Sequence, residues 1–191
     1  MTSLEPALLA LRLGRPIVLP TDTVYGIGVM PAVPGAVEAL FRAKGRPGSN
    51  PVPMLGASAE TLAVVAYFND TATELAQRFW PGPLTLVLRR AEGWSHDLGG
   101  TDRATVAVRV PACGIACDLL AQSGPLAVSS ANRSGGAPAT TVAEAREALG
   151  RSVEAYVDGG HRSGAPSTVL SLVGEPVVLR EGVLPASDLL R

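Results

Sequence analysis

The sequence predicts an α/β domain, a twisted mixed parallel and antiparallel sheet with helices packed on it. Three observations predict this. Short apolar runs rich in β-branched residues alternate along the chain with stretches whose apolar residues recur at helical spacing. Hydrophobic residues fill 47% of the 191 positions, enough to bury a full core. The 21 glycines and 16 prolines punctuate these elements with tight turns rather than marking disorder, because apolar content stays high throughout. A single domain over residues 1–191 is expected, with no internal repeat and no linker.

Leu4 to Leu13 reads as the first helix, with Pro6 tolerated in its opening turn and Gly14 as its stop. Ile17-Val18-Leu19 reads as a short buried strand ended by Pro20. Thr21-Asp22-Thr23 then forms a polar turn before Tyr25-Gly26-Ile27-Gly28, a loop whose two glycines let backbone approach backbone or ligand closely. Val37, Leu40, Phe41 and Lys44 share one helical face, so a helix from about Pro34 delivers Lys44 at its C-terminal end, where Gly45 and Pro47 stop it. A further helix runs from Thr71 to Phe79 behind Asn69-Asp70 as caps. Thr85–Arg89 and Thr105–Val110 read as strands on their β-branched content, and Leu126-Ala127-Val128 reads as another short strand. Thr141 to Glu144 fits a capping box for a helix ending near Gly150. Val153–Val157, Thr168–Val173 and Val177–Leu179 complete the strands, with antiparallel hairpin-like portions near the C-terminus.

Composition excludes several function classes. The sequence has no apolar run of the roughly 18 residues needed to cross a bilayer, and its N-terminus lacks a secretory pattern, so a cytoplasmic protein with no membrane association is expected. Cys113 and Cys117 stand four apart on an expected helix, sharing a face but poorly placed to bridge, and with only His96 and His161 to add they do not suggest a zinc site. A net charge of −1 argues against a dominant nucleic-acid footprint while leaving room for a small basic groove.

The chain lacks the P-loop and the dinucleotide fingerprint, and without G-x-S-x-G its two histidines leave little material for a Ser-His-Asp enzyme, with His161 near Ser163 and Ser167 as the weak remainder. The segment from Lys44 to Pro51 is sharper: a helix end followed by Arg46 and Asn50 between two prolines gathers two cations and an amide in a rigid loop that suits a polyphosphate. Taken alone, the same residues would equally serve as a solvated basic turn complementing the helix dipole. Ser130-Ala-Asn132 follows a buried strand as Thr21-Asp22-Thr23 does, so both could project into one crevice. Thr105 and Arg109 share a strand face at period two, and an inward Arg109 would need an anionic partner.

In order and spacing, Pro20-Thr-Asp-Thr-Val-Tyr-Gly-Ile-Gly28, Lys44-Gly-Arg-Pro-x-x-Asn-Pro51, Trp80-Pro-Gly-Pro-Leu-Thr85, Thr105-Val-Ala-Val-Arg-Val-Pro111, Ser130-Ala-Asn132, Ser167-Thr-Val169 and Arg180-x-Gly182 closely resemble the YrdC-type threonylcarbamoyl-AMP synthases. The resemblance runs from Ile17 to Gly182 and implies a concave substrate groove on the sheet. It implies synthesis of L-threonylcarbamoyl-AMP and pyrophosphate from L-threonine, bicarbonate and ATP, with Mg²⁺ accompanying the triphosphate. The product would serve downstream transfer proteins that modify tRNA. Residue by residue, it implies ATP contacts from Arg46, Asn50, Thr105, Ser130, Asn132 and Arg180, and threonine contacts from Thr23, Arg109, the Val128 backbone and Thr168. Lys44 and Arg46 would be catalytic through charge, and no protein ligand to a metal is expected. The pattern departs at Leu55, where many relatives carry a histidine, and at Ala139, where many carry a serine that Thr140 or Thr141 would have to replace. Two alternatives stand beside this reading: a non-catalytic binder of tRNA or double-stranded RNA, and a paralogue that makes a different carbamoyl or acyl adenylate.

Overall fold

The structure, a computed structural model, describes residues 3–48, 50–162 and 164–190. The helices form where local signals place them. Helix α1 (Glu5–Arg12) carries Pro6 in its first turn, an acidic residue at its start and Arg12 at its end, and buries Ala7, Leu8, Ala10 and Leu11. Helix α2 (Ala36–Lys44) stops at Gly45, which takes the left-handed conformation at φ 58°. Beyond it, the Arg46 N–H donates back to the Phe41 carbonyl at 3.0 Å. Helix α3 (Ala59–Leu62) and helix α6 (Val142–Leu149) each open on a capping box, the latter between Thr141 and Glu144 as expected. Asn69 caps α4 (Asp70–Phe79) by accepting from the Ala72 N–H at 2.8 Å. Helices α5 (Gly114–Ser123) and α7 (Ala186–Leu189) complete the set.

The strands are β1 (Ile17–Leu19), β2 (Gly26–Val29), β3 (Met54–Leu55), β4 (Leu84–Arg89), β5 (Thr105–Arg109), β6 (Leu126–Ser130), β7 (Ala155–Tyr156), β8 (Thr168–Ser171) and β9 (Val177–Arg180). Two of these differ in kind from the sequence reading. The expected loop at Tyr25–Gly28 is strand β2, and β3 falls where no strand is expected. The expected strands at 153–157 and 168–173 are shorter, ending where pairing ends.

The described strands join in one mixed sheet of order β7-β1-β2-β6-β3-β5-β4-β8-β9. β1–β2, β2–β6, β3–β6, β4–β5 and β8–β9 are antiparallel, while β1–β7, β3–β5 and β4–β8 are parallel. Side chains alternate across this sheet, so it divides the core in two. Val18, Ile27, Met54, Leu86, Val108 and Leu170 face a large cluster that receives α2, α4 and α6. Ile17, Leu19, Leu55, Leu126 and Val128 face a smaller cluster built with α1 and α5.

The smaller cluster contains no residue of β4, β5 or β8. On those strands the residues that alternate with the core side chains, Thr85, Ala107, Arg109 and Val169, line a cavity instead. The fold thus covers one half of this sheet face with helices, and the other half forms the floor of this cavity. Among the described residues, no helix is long and apolar enough to cross a membrane.

Candidate active site

The cavity on the bare half of the sheet measures about 340 Å³, within the usual range for a small-molecule site. Its floor is Thr85, Ala107, Arg109, Leu55 and Val128, and its rim carries Thr23, Arg46, Ser130, Pro138, Ser167 and Arg180. Among the described residues, three arginines line it and no carboxylate does. A larger depression of about 450 Å³ lies at the other end of β4, against Tyr67, Arg89, Arg90, Glu92 and Gly174. It holds none of the expected site residues, so chemistry rather than size selects the first cavity.

Arg109 is the most constrained of the three arginines. Its Nε donates to the Gly82 carbonyl at 2.9 Å, Nη1 to Thr23 Oγ1 at 3.1 Å and Nη2 to Asp22 Oδ1 at 2.6 Å. The residue is only 6% exposed. Burial pulls its pKa down, while the Asp22 charge and hydrogen bond pull it back up. Thr23 in turn pairs with Thr21 at 3.0 Å, so the polar turn after β1 is a network facing Arg109.

Arg46 is fixed by its own loop: Nε donates to the Asn50 carbonyl at 3.2 Å and Nη2 to the Pro51 carbonyl at 3.4 Å. Burial lowers its pKa. Across the cavity, Arg180 Nη2 donates to Ser167 O at 2.9 Å and to Ser167 Oγ at 3.2 Å, and Ser167 Oγ pairs with Thr85 Oγ1 at 2.8 Å.

Lys44 stands behind the cavity wall rather than in it. Its Nζ donates to Ser130 O at 2.5 Å and Asn132 O at 2.8 Å, and the residue is 2% exposed. Burial, then Arg46, lower its pKa to about 8. Asn132 is a brace for its own loop, donating from Nδ2 to the carbonyls of Arg133 and Gly136, each at 2.7 Å. Asn50 is exposed on its loop outside the cavity lining. Thr105 lies on the cavity face of β5, two residues from Ala107, with its hydroxyl donated to Asp102.

The expected Thr168 contact is not brought into the cavity. Its side chain is fully buried on the opposite side, donating to Leu184 O at 2.6 Å and accepting from the N–H groups of Gly182 and Leu184. Ser167 takes the cavity position instead. The hydroxyls suggested to stand in at Ala139 are also committed elsewhere: Thr140 donates to Glu144 Oε2 at 3.0 Å, and Thr141 caps α6. Ala139 itself is buried, with its carbonyl accepting from the Tyr25 N–H at 2.9 Å. Of the weak serine–histidine expectation, Ser163 lies outside the described residues, His161 is exposed, and Ser167 is paired as above.

The Sua5/YciO/YrdC family model, described as telomere recombination, matches residues 9–182. The chain belongs to this family. Within it, the chain is 44% identical over 184 residues to the threonylcarbamoyl-AMP synthase of Pyrococcus abyssi, covering 94% of this chain and 54% of that protein. The crystal structure of P. abyssi Sua5 complexed with L-threonine superimposes with a TM-score of 0.90 at 42% identity, covering 95% of this chain and 54% of that one. The chain therefore spans about half the length of this relative. Escherichia coli YciO matches with a TM-score of 0.87 at 27% identity, over 96% of this chain and 91% of that one.

Sequence reasoning gave three residues at or beside this cavity too little weight. Asp22 reads in the sequence only as part of a polar turn, yet it pairs with Arg109 across the sheet. Thr85 and Ser167 were inside motifs, but only the strand register shows that their side chains share the cavity face.

Proposed function

We propose that this chain condenses L-threonine, bicarbonate and ATP into L-threonylcarbamoyl-AMP and pyrophosphate. The observation that carries the reading is the cavity itself: Arg46, Arg109 and Arg180 converge on a space with no carboxylate among the described residues that line it. Such a site fits reactants that bring all the negative charge, namely a triphosphate and an amino-acid carboxylate. The threonine complex of the P. abyssi relative supports assigning the amino acid to this fold.

The chemistry needs no protein nucleophile. The threonine amine adds to the bicarbonate carbon and water leaves, giving a carbamate. A carbamate oxygen then forms a bond to the α-phosphorus of ATP as the bond to the pyrophosphate oxygen breaks. What the protein supplies is alignment and fixed positive charge where the phosphoryl oxygens gain negative charge. Arg109 and Thr23, with the Val128 segment and Leu55 beside them, would hold the threonine end. Arg46 and Arg180 would flank the triphosphate, with Ser130, Asn50 and Thr105 as further polar contacts. Lys44 and Asn132 would support that wall from behind, and Thr168 would hold the C-terminal segment in place.

Among the described residues, no group of three or more His, Cys, Asp or Glu side chains could hold a metal ion. Mg²⁺ would be carried on ATP oxygens and water, where it would neutralise the triphosphate. The adenylate would pass to separate proteins that modify tRNA in the cytoplasm.

The test is to supply the purified protein with ATP, Mg²⁺, bicarbonate and each amino acid in turn, and to measure pyrophosphate and adenylate. Threonine-dependent formation of both is expected. Absence of threonine-dependent pyrophosphate overturns the reading, and a preference for another amino acid redirects it to a different carbamoyl adenylate.

A further inference from the structure

We infer that Asp22 is a positioning residue for the amino-acid end of the site, acting by aiming the Arg109 guanidinium and balancing its charge. The inference rests on the synthase reading for its kinetic test but on geometry alone for its premise. A guanidinium has five N–H donors. In Arg109, Nε is used on the Gly82 carbonyl, one Nη1 donor on Thr23 Oγ1 and one Nη2 donor on Asp22 Oδ1. One donor on each terminal nitrogen remains, and Arg109 lines the cavity. An anion entering the cavity can therefore be met by this guanidinium.

Of the three groups that fix Arg109, only Asp22 is charged. Its bond is also the shortest, at 2.6 Å against 2.9 and 3.1 Å. The two side chains are 7% and 15% exposed, so the pair is shielded from solvent. Asp22 is itself anchored, because Oδ1 also accepts from the Ala112 N–H at 3.1 Å. Ala112 follows the strand that carries Arg109, so Asp22 ties the turn after β1 to the end of β5 at two points.

The consequence is specific to one substrate. Without the Asp22 charge, Arg109 keeps its two neutral partners but loses the one that sets its rotation. The fork then no longer meets a carboxylate at a fixed angle. Arg46 and Arg180 have their own anchors, on Asn50, Pro51 and Ser167. Binding of the amino acid should suffer while binding of ATP does not.

The experiment is Asp22→Asn, which keeps size and one acceptor but removes the charge, with Asp22→Glu as a second variant. The expected result for Asp22→Asn is a KM for L-threonine raised about 10–150-fold, the range of a hydrogen bond to a charged group. The KM for ATP should stay within about twofold and Asp22→Glu should recover part of the loss. In parallel, the Arg109 guanidinium N–H signals in NMR should exchange faster with water in Asp22→Asn than in the wild type. Equal rises in both KM values would indicate a purely structural role and overturn the proposal, as would an unchanged threonine KM or unchanged Arg109 signals. If the wild-type protein makes no threonine-dependent pyrophosphate, the functional reading fails instead, and the guanidinium signals still decide whether Asp22 aims Arg109.

Discussion

Lys44 carries a charge where the chain leaves almost no solvent. Its ammonium has three donors, and the acceptors within reach are Ser130 O, Asn132 O and, at 3.5 Å, Asn132 Oδ1. Burial, with Arg46 second, lowers its pKa from 10.5 to about 8. The folded chain therefore sheds this proton before the unfolded chain does. Between pH 8 and 10.5 the unfolded state holds more protons, so the Lys44 contribution to native stability rises with pH across that window. Activity should move the opposite way, because the same deprotonation removes the cation that supports the Ser130–Asn132 wall. The expected outcome is a kcat/KM for ATP that declines as pH passes about 8 while the urea midpoint, measured in the same buffers, increases. In Lys44→Met, both responses should vanish and turnover at neutral pH should fall by about 10²-fold or more. A kcat/KM profile that keeps its alkaline limb in the variant would assign the titration to another group.

At the scale of elements, the loop carrying Arg46 and Asn50 is held from outside by the turn at Leu98–Gly100. Gly100 N–H donates to Gly48 O at 2.7 Å, and Val52 N–H donates to Leu98 O at 2.9 Å, so the turn grips the loop on both sides of Asn50. Gly99 has φ 77° and a Cβ there would meet Phe41 Cζ at 2.5 Å and Gly48 O at 2.7 Å. Gly99→Ala should cost about 1–3 kcal/mol from backbone strain and displace the loop. A lower denaturant midpoint with a raised KM for ATP and an unchanged KM for threonine is expected, and equal changes in both KM values would refute the clamp. The turn itself has local signals, the Gly99-Gly100 pair and Asp97, whose Oδ1 accepts from the Gly99 N–H at 2.7 Å, but what it grips has none, because its partners lie at positions 41, 48 and 52. The same limit explains the other misses. Helices α2, α4 and α6 are legible because their stops and caps are local, β4 and β5 because they carry Val and Thr, and β6 because it is a short apolar run. β2 is not, since Gly26 and Gly28 weaken strand propensity. Their reason is tertiary: a Cβ on Gly26 would sit 2.6 Å from Val128 Cγ1, and one on Gly28 would meet Leu19 and Val128 at 3.2 Å. In the site, the arginines could be found by motif, but the choice between Ser167 and Thr168 turns on strand alternation. A shift of one residue there exchanges the cavity for the core.

For the whole molecule, the asymmetry between a net charge of −1 and a cavity lined by three arginines decides which ligands should matter. Positive charge concentrated in one concave site favours a compact polyanion, whereas a long nucleic acid gains affinity from many dispersed cations. The cavity also lies where helices cover only half of one sheet face, so a ligand there would cover part of the other half. Ligand binding to the folded state alone stabilises by about 2.7 kcal/mol at a hundredfold excess over Kd. For a chain of 191 residues, that corresponds to a rise in melting temperature of about 5–11 °C. ATP with Mg²⁺ should produce such a shift, and L-threonine with bicarbonate should add to it. Raising salt from 50 to 200 mM should weaken the ATP shift only modestly, because few charges are involved. Transfer RNA should give little shift at the higher salt. A tRNA shift equal to that of ATP, steeply lost with salt and surviving replacement of Arg46, would move the weight to an RNA-binding role. An ATP shift that persists in an Arg46→Ala/Arg180→Ala double variant would place the nucleotide outside this cavity.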